Sequence, residues 1–332
     1  MIPIDRIRDP WVLGIDTSAY TTSVAAVFQS GRYFEARRLL PVPVGARGLR
    51  ASDAVFYHNQ HLPRLVEEVV TQTDRADLVA ISVSTKPRPI EKSYLPCFVA
   101  GKAVGRSLAA LASVPVFSTT HQEGHIRAGI AGSGLTVQRE FLVWHVSGGT
   151  TELLAVTPAS WGFAITLKGG SDDLYAGQFV DRIGVLLGLP FPAGPDMDQL
   201  AESSLNAVDL PWSRPRFKNN LWWTSFAGPE SAARRAFAQG ADRAALARGV
   251  MEVIARSLAA VVLKFNKPTD LLVVGGVAAN AHLRRRLGLW LSAAGWTVWF
   301  ADPRWSRDNA IGVAYLGLDA WQRRRGQGMG ER

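Results

Sequence analysis

The chain has 332 residues, of which 47% are hydrophobic and 20% charged, and this balance excludes a disordered or fibrous protein. No apolar run reaches the roughly 18 residues of a membrane span, and residues 1–10 lack the apolar core of a secretory signal. The single cysteine, Cys97, excludes an internal disulfide and a multi-cysteine metal site. The net charge of +9 admits a nucleic-acid partner, although arginines spread over helix surfaces explain it equally well. We therefore expect a cytoplasmic protein without a membrane partner.

The first half of the chain predicts alternating strands and helices. Residues 11–27 form an apolar strand, a turn of small hydroxyl residues and a second apolar strand. The elements that follow are a helix at 59–72, a strand at 78–84, a helix at 98–112, a strand at 114–117 and a helix that begins near Thr120. This alternation is typical of a sheet with helices packed over it.

The second half opens with a similar pair of apolar strands over residues 141–156, joined by a turn that contains Ser147, Gly148 and Gly149. After it we predict a helix at 177–187, a Gly/Pro-rich loop at 188–195, a short helix from Asp196, irregular chain at 210–229 and a long helix at 241–265. The chain then predicts a strand at 270–274, a helix from Ala279, a strand at 297–301 and a last helix at 309–325.

The two hairpins resemble each other, and either one alone is typical of an ordinary β-hairpin. Their repetition indicates an internal duplication, with two similar lobes that face a cleft. Turns of this kind leave backbone N–H groups bare, so the pair is suited to grip phosphate from both sides.

His121 and His125 lie four residues apart in a predicted helix, which places both imidazoles on one face, where they can share a metal ion. The zinc-protease pattern needs Glu directly after the first His, and here Glu123 comes second, so we expect it to point away from the metal. Asp308, before the last helix, offers an oxygen ligand. Surface or capping roles remain the alternatives for all three residues.

Gly275 and Gly276 follow an apolar strand and open a helix, which lets a ligand approach the backbone, although a tight turn has the same pattern. Several aspartates of the second half are candidates to bind ribose hydroxyls or to cap helices: Asp172, Asp173, Asp181, Asp196 and Asp198.

Together these motifs resemble the TsaD/Gcp family, the tRNA threonylcarbamoyladenosine synthases, over nearly the whole chain. The matching elements are His121-x-x-x-His125, Val146-Ser147-Gly148-Gly149, Asp181 with the run 186–195, Gly275-Gly276-Val277-Ala278-Ala279-Asn280 and Asp308-Asn309. Each is weak alone, but five in the correct order and spacing are specific.

The resemblance implies a two-lobed α/β fold of the actin/hexokinase/sugar-kinase type, with duplicated mixed-sheet lobes around a nucleotide cleft. Residues 1–135, completed by the helix 309–332, would form the N-terminal lobe, and residues 136–308 the C-terminal lobe. It also implies ATP or an acyl-adenylate as ligand and one metal ion, iron or zinc, on His121, His125 and Asp308. The implied nucleotide-binding residues are His145, Val146, Ser147, Gly148, Gly149, Asp181, Gly194, Asp198, Gly275, Gly276 and Asn280.

The implied activity moves a threonylcarbamoyl group from its adenylate to the exocyclic amine of an adenosine beside the tRNA anticodon. The implied partners are tRNA and the other threonylcarbamoylation proteins of the host. The resemblance assigns no catalytic side chain beyond the metal and nucleotide positions.

The chain departs from the family pattern in the first hairpin and in one loop. Family members usually read Glu-Thr-Ser-Cys-Asp-Glu-Thr where this chain has Asp16-Thr17-Ser18-Ala19-Tyr20-Thr21-Thr22, so two acids are absent. Lys86-Pro87-Arg88-Pro89 replaces the usual Gly-Pro-Gly-Leu, and Thr150 follows the glycine pair. Three readings stay open: a tRNA threonylcarbamoyltransferase, a carbamoyltransferase on another acceptor, or a non-catalytic nucleotide-binding paralogue that regulates or scaffolds a true synthase.

Overall fold

A computed structural model of the chain describes residues 8–18, 20–41 and 49–328. The chain divides into two compact units. Unit 1 comprises Met1–Ala131, Ala159–Phe163 and Asp308–Arg332, and unit 2 comprises Gly132–Pro158 and Ala164–Arg307. Within the three described stretches, the structure contains no helix that is both long and apolar enough to cross a membrane.

Twelve strands and nine α-helices are found in the described residues. The strands are β1 (Trp11–Ser18), β2 (Thr21–Phe28), β3 (Tyr33–Leu39), β4 (Leu78–Ser84), β5 (Val116–Thr119), β6 (Phe141–Val146), β7 (Thr151–Pro158), β8 (Phe163–Ser171), β9 (Arg216–Lys218), β10 (Leu221–Thr224), β11 (Asp270–Val274) and β12 (Thr297–Phe300). The helices are α1 (Ala51–Val70), α2 (Phe98–Ala112), α3 (His121–Ser133), α4 (Ala176–Leu186), α5 (Gly194–Glu202), α6 (Ala227–Ala238), α7 (Arg243–Val262), α8 (Ala281–Ser292) and α9 (Ile311–Gly328).

Unit 1 is built on a five-stranded sheet in the order β3-β2-β1-β4-β5. The central strand β1 pairs antiparallel with β2 and parallel with β4. Every residue of β1 and β2 is buried, as expected where both faces of a sheet are covered. Helix α1 packs against β2, while α2 and α9 pack against β1 and β4.

Unit 2 is built on a seven-stranded sheet in the order β12-β11-β6-β7-β8-β10-β9. Its strand β6 pairs antiparallel with β7 and parallel with β11, which in turn runs parallel to β12. The order β8-β7-β6-β11-β12 therefore repeats the order of the sheet in unit 1. The predicted duplication is present, with β9 and β10 added at one edge of the second sheet.

Several predicted element bounds are wrong. The stretch 210–229 is not irregular, because it contains β9, β10 and the start of α6. Helix α1 begins at Ala51, well before the predicted residue 59, and it keeps Pro63 in its interior. Proline prefers the first turn of a helix to its interior, where it lacks the N–H for a hydrogen bond. Its buried side chains His58, Leu62 and Leu65 pack the helix on the sheet and outweigh that preference.

The pair of helices α7 and α8 is joined by a partly buried ion-pair network around Glu252. The Glu252 carboxylate accepts hydrogen bonds from His282 Nε2 at 2.7 Å and from Arg286 Nη2 at 2.7 Å. Burial raises the pKa of Glu252, but the hydrogen bonds and charges of these two partners outweigh burial and lower the pKa to about 2. A depressed carboxyl pKa stabilises the folded state at neutral pH, and this contribution is lost as the pH falls from about 4.5 towards 2.

Replacing Glu252 with glutamine is therefore expected to lower the free energy of unfolding by about 1–2 kcal/mol at pH 7. Denaturant unfolding of wild type and Glu252→Gln between pH 7 and pH 3 checks this, because the difference should shrink as the carboxylate protonates. Glu202→Gln is the control, since Glu202 pairs with Arg285 at an exposed site and such pairs contribute little. A difference that is constant with pH would contradict the assignment.

Candidate functional site

The start of helix α3 is fixed by a capping box. The Thr120 N–H donates to Glu123 Oε2 at 3.1 Å, and the Thr120 hydroxyl donates to the same oxygen at 2.7 Å. The carbonyl of Lys86 accepts from the N–H of His121 at 3.0 Å. These bonds satisfy the N–H groups of Thr120 and His121 at the start of the helix. Glu123 is thus committed to the cap, and the loop that departs from the family pattern supports the first histidine.

His121 and His125 lie one helical turn apart and share a carboxylate with the segment before α9. The two Nε2 atoms are 3.2 Å apart. Asp308 Oδ1 lies 3.2 Å from His125 Nε2 and 3.6 Å from His121 Nε2. The hydroxyl of Ser18 donates to Asp308 Oδ2 at 2.9 Å. Two imidazole nitrogens and one carboxylate oxygen therefore point at a common position.

Asp308 reaches the histidines because α9 begins in direct contact with the backbone of α3. A Cβ at Gly312 would overlap the carbonyl oxygen of Gly124, so only glycine allows this approach. The side chain of Asn309 accepts from the N–H of Ile311 at 3.0 Å and takes the capping role. This arrangement leaves the Asp308 carboxylate to the imidazoles.

Asp16, at the buried end of β1, orients the imidazole of His121 through its Nδ1, on the side of the ring away from Nε2. Both carboxylate oxygens of Asp16 lie 3.1 Å from His121 Nδ1, and the hydroxyl of Ser84 also donates to Asp16. A carboxylate at Nδ1 keeps the proton on that nitrogen and leaves the lone pair of Nε2 to face the shared position. No local pattern in the sequence indicates this role for Asp16.

The electrostatics of the cluster favour a positive charge at this position. Burial alone would lower the pKa of His121, but the carboxylates of Asp16 and Asp308 raise it well above its usual value. Burial likewise raises the pKa of Asp308, and the two imidazoles outweigh burial and hold that pKa well below its usual value. A divalent cation supplies the same positive charge.

The three side chains fit a transition-metal ion. The donor atoms of His121, His125 and Asp308 all lie within 4.8 Å of one another, and no other group of this kind occurs among the described residues. Two imidazoles and one carboxylate form a donor set of zinc and of non-haem iron, with positions left for water or substrate. About a third of the Asp308 side chain is exposed, so the position is open to a ligand.

Replacing Asp16 with asparagine is expected to weaken metal binding by about 10- to 100-fold. The asparagine amide would donate to His121 Nδ1 and so place the proton on Nε2, where it blocks the metal. Competition with a chromophoric chelator measures the affinity. Asp319→Asn, which removes a carboxylate that pairs with Arg127, should leave the affinity unchanged. Equal affinities for the wild type and Asp16→Asn would contradict the role of Asp16.

The first hairpin lies next to this cluster through Ser18. Of the positions where the family has acids, Tyr20 is 46% exposed and Thr21 is buried. Ala19, between Ser18 and Tyr20, lies outside the described residues. Ser18 is a second residue of the site that was not predicted. It lies 290 residues from Asp308 in the sequence, so only the fold shows that the two side chains are in contact.

In unit 2, the turn after β6 and the start of α4 are joined. The N–H of Gly149 donates to the Ser147 hydroxyl at 3.3 Å, and the N–H of Gly177 donates to the Ser147 carbonyl at 3.2 Å. A Cβ at Gly148 would lie 3.9 Å from Asp181 Oδ2, and a Cβ at Gly149 would meet no atom within 4 Å. The turn is therefore open for a ligand at its glycines.

Asp181 connects this turn to the loop before α5. Its Oδ1 accepts from the N–H of Ala193 at 2.8 Å, directly before Gly194. Burial raises the pKa of Asp181, and the Ala193 N–H lowers it only in part. His145 and Val146 precede the turn as buried residues of β6, so they support it from within the sheet.

The remaining predicted residues meet at the end of β11. Asn280 Nδ2 donates to Asp198 Oδ1 at 2.6 Å, while Asn280 Oδ1 accepts from the N–H of Leu283 and caps α8. Gly275 has a φ of +96°, and a Cβ there would overlap the Val146 carbonyl oxygen. The ends of the neighbouring strands β6 and β11 thus bring both glycine turns together. Gly276 faces open space.

The comparisons with known proteins identify the family. The model of TsaD, tRNA N6-adenosine threonylcarbamoyltransferase, matches residues 46–315. The chain belongs to this family. A tRNA N6-adenosine threonylcarbamoyltransferase of Thermus thermophilus is 32% identical over 96% of this chain and 93% of its own length. The resemblance stated from the motifs is confirmed.

Solved structures with little sequence identity share the fold of this family member. The activator of the 2-hydroxyisocaproyl-CoA dehydratase from Clostridium difficile, with bound ADPNP, has a TM-score of 0.55 at 12% identity and covers 96% of this chain and 97% of its own. A ROK family glucokinase from Streptomyces griseus, with glucose and AMPPNP, has a TM-score of 0.50 at 14% identity, over 93% of this chain and 99% of its own. The predicted actin/hexokinase/sugar-kinase fold is confirmed.

Proposed function

We propose that the protein transfers a threonylcarbamoyl group from its adenylate to the exocyclic amine of an adenosine beside the tRNA anticodon. The observation that supports this most is the convergence of His121, His125 and Asp308, with Asp16 behind His121, in a member of the threonylcarbamoyltransferase family. The donor set suits iron or zinc.

In the proposed reaction, the adenosine amine forms a bond to the carbamoyl carbon, and the bond from that carbon to the phosphate oxygen breaks. AMP leaves with the electron pair, and the amine loses one proton. A metal ion, when bound, would supply Lewis acidity toward the carbonyl. His121, His125 and Asp308 would hold the ion, and Asp16 keeps the proton of His121 on Nδ1 so that Nε2 stays available.

We assign nucleotide binding to unit 2. The backbone N–H groups of the turns at Gly148 and Gly276 suit phosphate oxygens. The carboxylates of Asp181 and Asp198 suit the hydroxyls of a ribose, because each is held in place by backbone or amide donors and a carboxylate can accept further hydrogen bonds. His145, Val146 and Gly275 shape these turns without offering a side chain to the ligand.

The partners of the proposed reaction are tRNA and the other threonylcarbamoylation proteins of the same host. The net charge of +9 is compatible with binding to tRNA. A second candidate function is a non-catalytic nucleotide-binding paralogue. It is favoured by Tyr20 and Thr21, which supply no negative charge at neutral pH where the family has two acids.

Transfer of labelled threonylcarbamate to unmodified tRNA, with and without the partner proteins, tests the proposal. We expect transfer by the wild type, and Tyr20→Asp with Thr21→Glu should raise the rate if the chemistry needs the charge. No transfer by the wild type or by this double variant would refute the proposal and leave the carbamoyltransferase on another acceptor and the paralogue. Transfer only by the double variant would favour the paralogue.

A further inference from the structure

The edge of the sheet in unit 2 presents a solvent face of mixed aromatic and basic character. In the register, Trp223 lies opposite Arg216 on β9 and opposite Gly170 on β8. Leu221 lies opposite Lys218. Because alternate residues of a strand share a face, Lys168 of β8 lies on the same face as Gly170. We name the face formed by Lys168, Arg216, Lys218 and Trp223 the edge face.

The opposite face of these strands is the one that packs on the core. Thr224 and Ser171 are buried there, and Trp222 packs against the core of unit 2. On the edge face, Arg216 and Lys218 are exposed, and Trp223 is half-buried. The buried Thr224 and the core contact of Trp222 mark the face of β10 that packs inward, whereas β9 is exposed on both faces, with Phe217 59% exposed opposite Trp222.

The indole of Trp223 is held in place on the edge face. Its Nε1–H donates to the carbonyl of Lys218 at 3.2 Å across the hairpin. The hairpin itself turns at Asn219 and Asn220, which have φ values of 53° and 60° and so form the tight turn that suits twisted strands. An aromatic ring fixed by a hydrogen bond costs little further entropy when a flat ligand stacks on it.

The charges on the edge face leave a surplus of cations. Arg216 pairs with Asp172 at 3.0 Å, yet more than half of its side chain remains exposed. Lys168 and Lys218 form no ion pair with any of the described residues. The lysine ammonium groups are therefore available to an anionic ligand.

We propose that the edge face binds an unpaired stretch of RNA, with one base stacked on Trp223 and the flanking phosphates on Lys168, Arg216 and Lys218. This inference rests on the proposed function, because it takes tRNA as the substrate. A sheet face that combines an aromatic ring with surrounding cations suits single-stranded nucleic acid, in which bases are free to stack. An acidic peptide would use the cations but would leave the ring without a flat partner.

Fluorescence anisotropy of a labelled, unmodified tRNA transcript with the full chain tests the inference. We expect Lys218→Glu and Trp223→Ala to weaken binding by about tenfold, and Trp223→Phe to keep most of the affinity because its ring still stacks. Lys218→Glu should also lower the slope of log affinity against log salt by about 1. Arg235→Glu is the matched control, since Arg235 is an exposed arginine of α6 in the same unit that forms no ion pair with any residue the structure describes.

Unchanged binding in Lys218→Glu, which is exposed and should fold normally, would overturn the inference. So would an equal loss in Arg235→Glu, or displacement of the tRNA by a glutamate-rich peptide that binds the wild type more tightly. A transfer assay on the same preparations separates this inference from the proposed function. If the wild type transfers the group and the edge-face variants still bind tRNA normally, the edge-face inference is refuted and the proposed function stands. If the edge-face variants lose tRNA binding but the wild type shows no transfer, the proposed reaction is refuted and the edge-face inference stands.

Discussion

Replacing both His121 and His125 with alanine is expected to remove the bound metal ion, from about one per chain to background. The two imidazoles supply two of the three converging donor atoms, and Asp308 alone cannot hold a transition metal against water. Transfer activity should fall by at least about 100-fold if, as proposed, the ion polarises the reacting carbonyl. Elemental analysis of protein purified without added metal measures the first effect.

His61→Ala is the control for this experiment, because His61 lies in unit 1 but contacts Thr22 rather than the three donors. It should keep the metal. Equal metal content in the wild type and in the folded double variant would refute the metal centre. If the double variant loses the metal but keeps full activity, the metal site is confirmed but the ion takes no part in the reaction.

Replacing Gly276 with valine is expected to abolish the binding of AMP or ATP, which we expect to be micromolar or weaker in the wild type and worth at most about 8 kcal/mol. A Cβ at Gly276 meets no protein atom within 4 Å, so the variant should fold. The added side chain enters the open space beside the turn that we assign to the nucleotide. Isothermal titration calorimetry measures the loss.

Gly288→Val provides the matched control for the nucleotide experiment. Gly288 lies on α8, and a Cβ there also meets open space, so any general effect of the added side chain should appear in both variants. Unaltered binding by a folded Gly276→Val would place the nucleotide elsewhere. A wild-type chain that gives no heat with either nucleotide would contradict nucleotide binding itself.

The sequence reveals the metal candidates because their signal is local. His121 and His125 are four residues apart on one helix, and Thr120 and Glu123 show where that helix begins. The role of Asp16 cannot be predicted in this way. It stands in a strand that reads as apolar, and only the packing of β1 beside α3 places its carboxylate at His121 Nδ1.

The strands β1, β2, β4 and β5 of unit 1 are predicted by the apolar hairpin and by the alternation of strands and helices, but no strand is predicted where the edge strand β3 lies. The ribbon of β9 and β10 cannot be predicted in this way either, since β9 is exposed at every position and has no apolar alternation. Its one local signal is the pair Asn219-Asn220, which favours a tight hairpin turn. Aromatic and proline residues around that pair suggested irregular chain instead.

Mass spectrometry of the tRNA nucleosides after deletion of the gene tests the central claim most directly. We expect threonylcarbamoyladenosine to disappear from the tRNA of the deleted strain. A plasmid copy of the wild type should restore it, and the His121→Ala, His125→Ala double variant, expressed at the same level, should not. Unchanged threonylcarbamoyladenosine in the deleted strain, or full restoration by the double variant, would contradict a metal-dependent transferase.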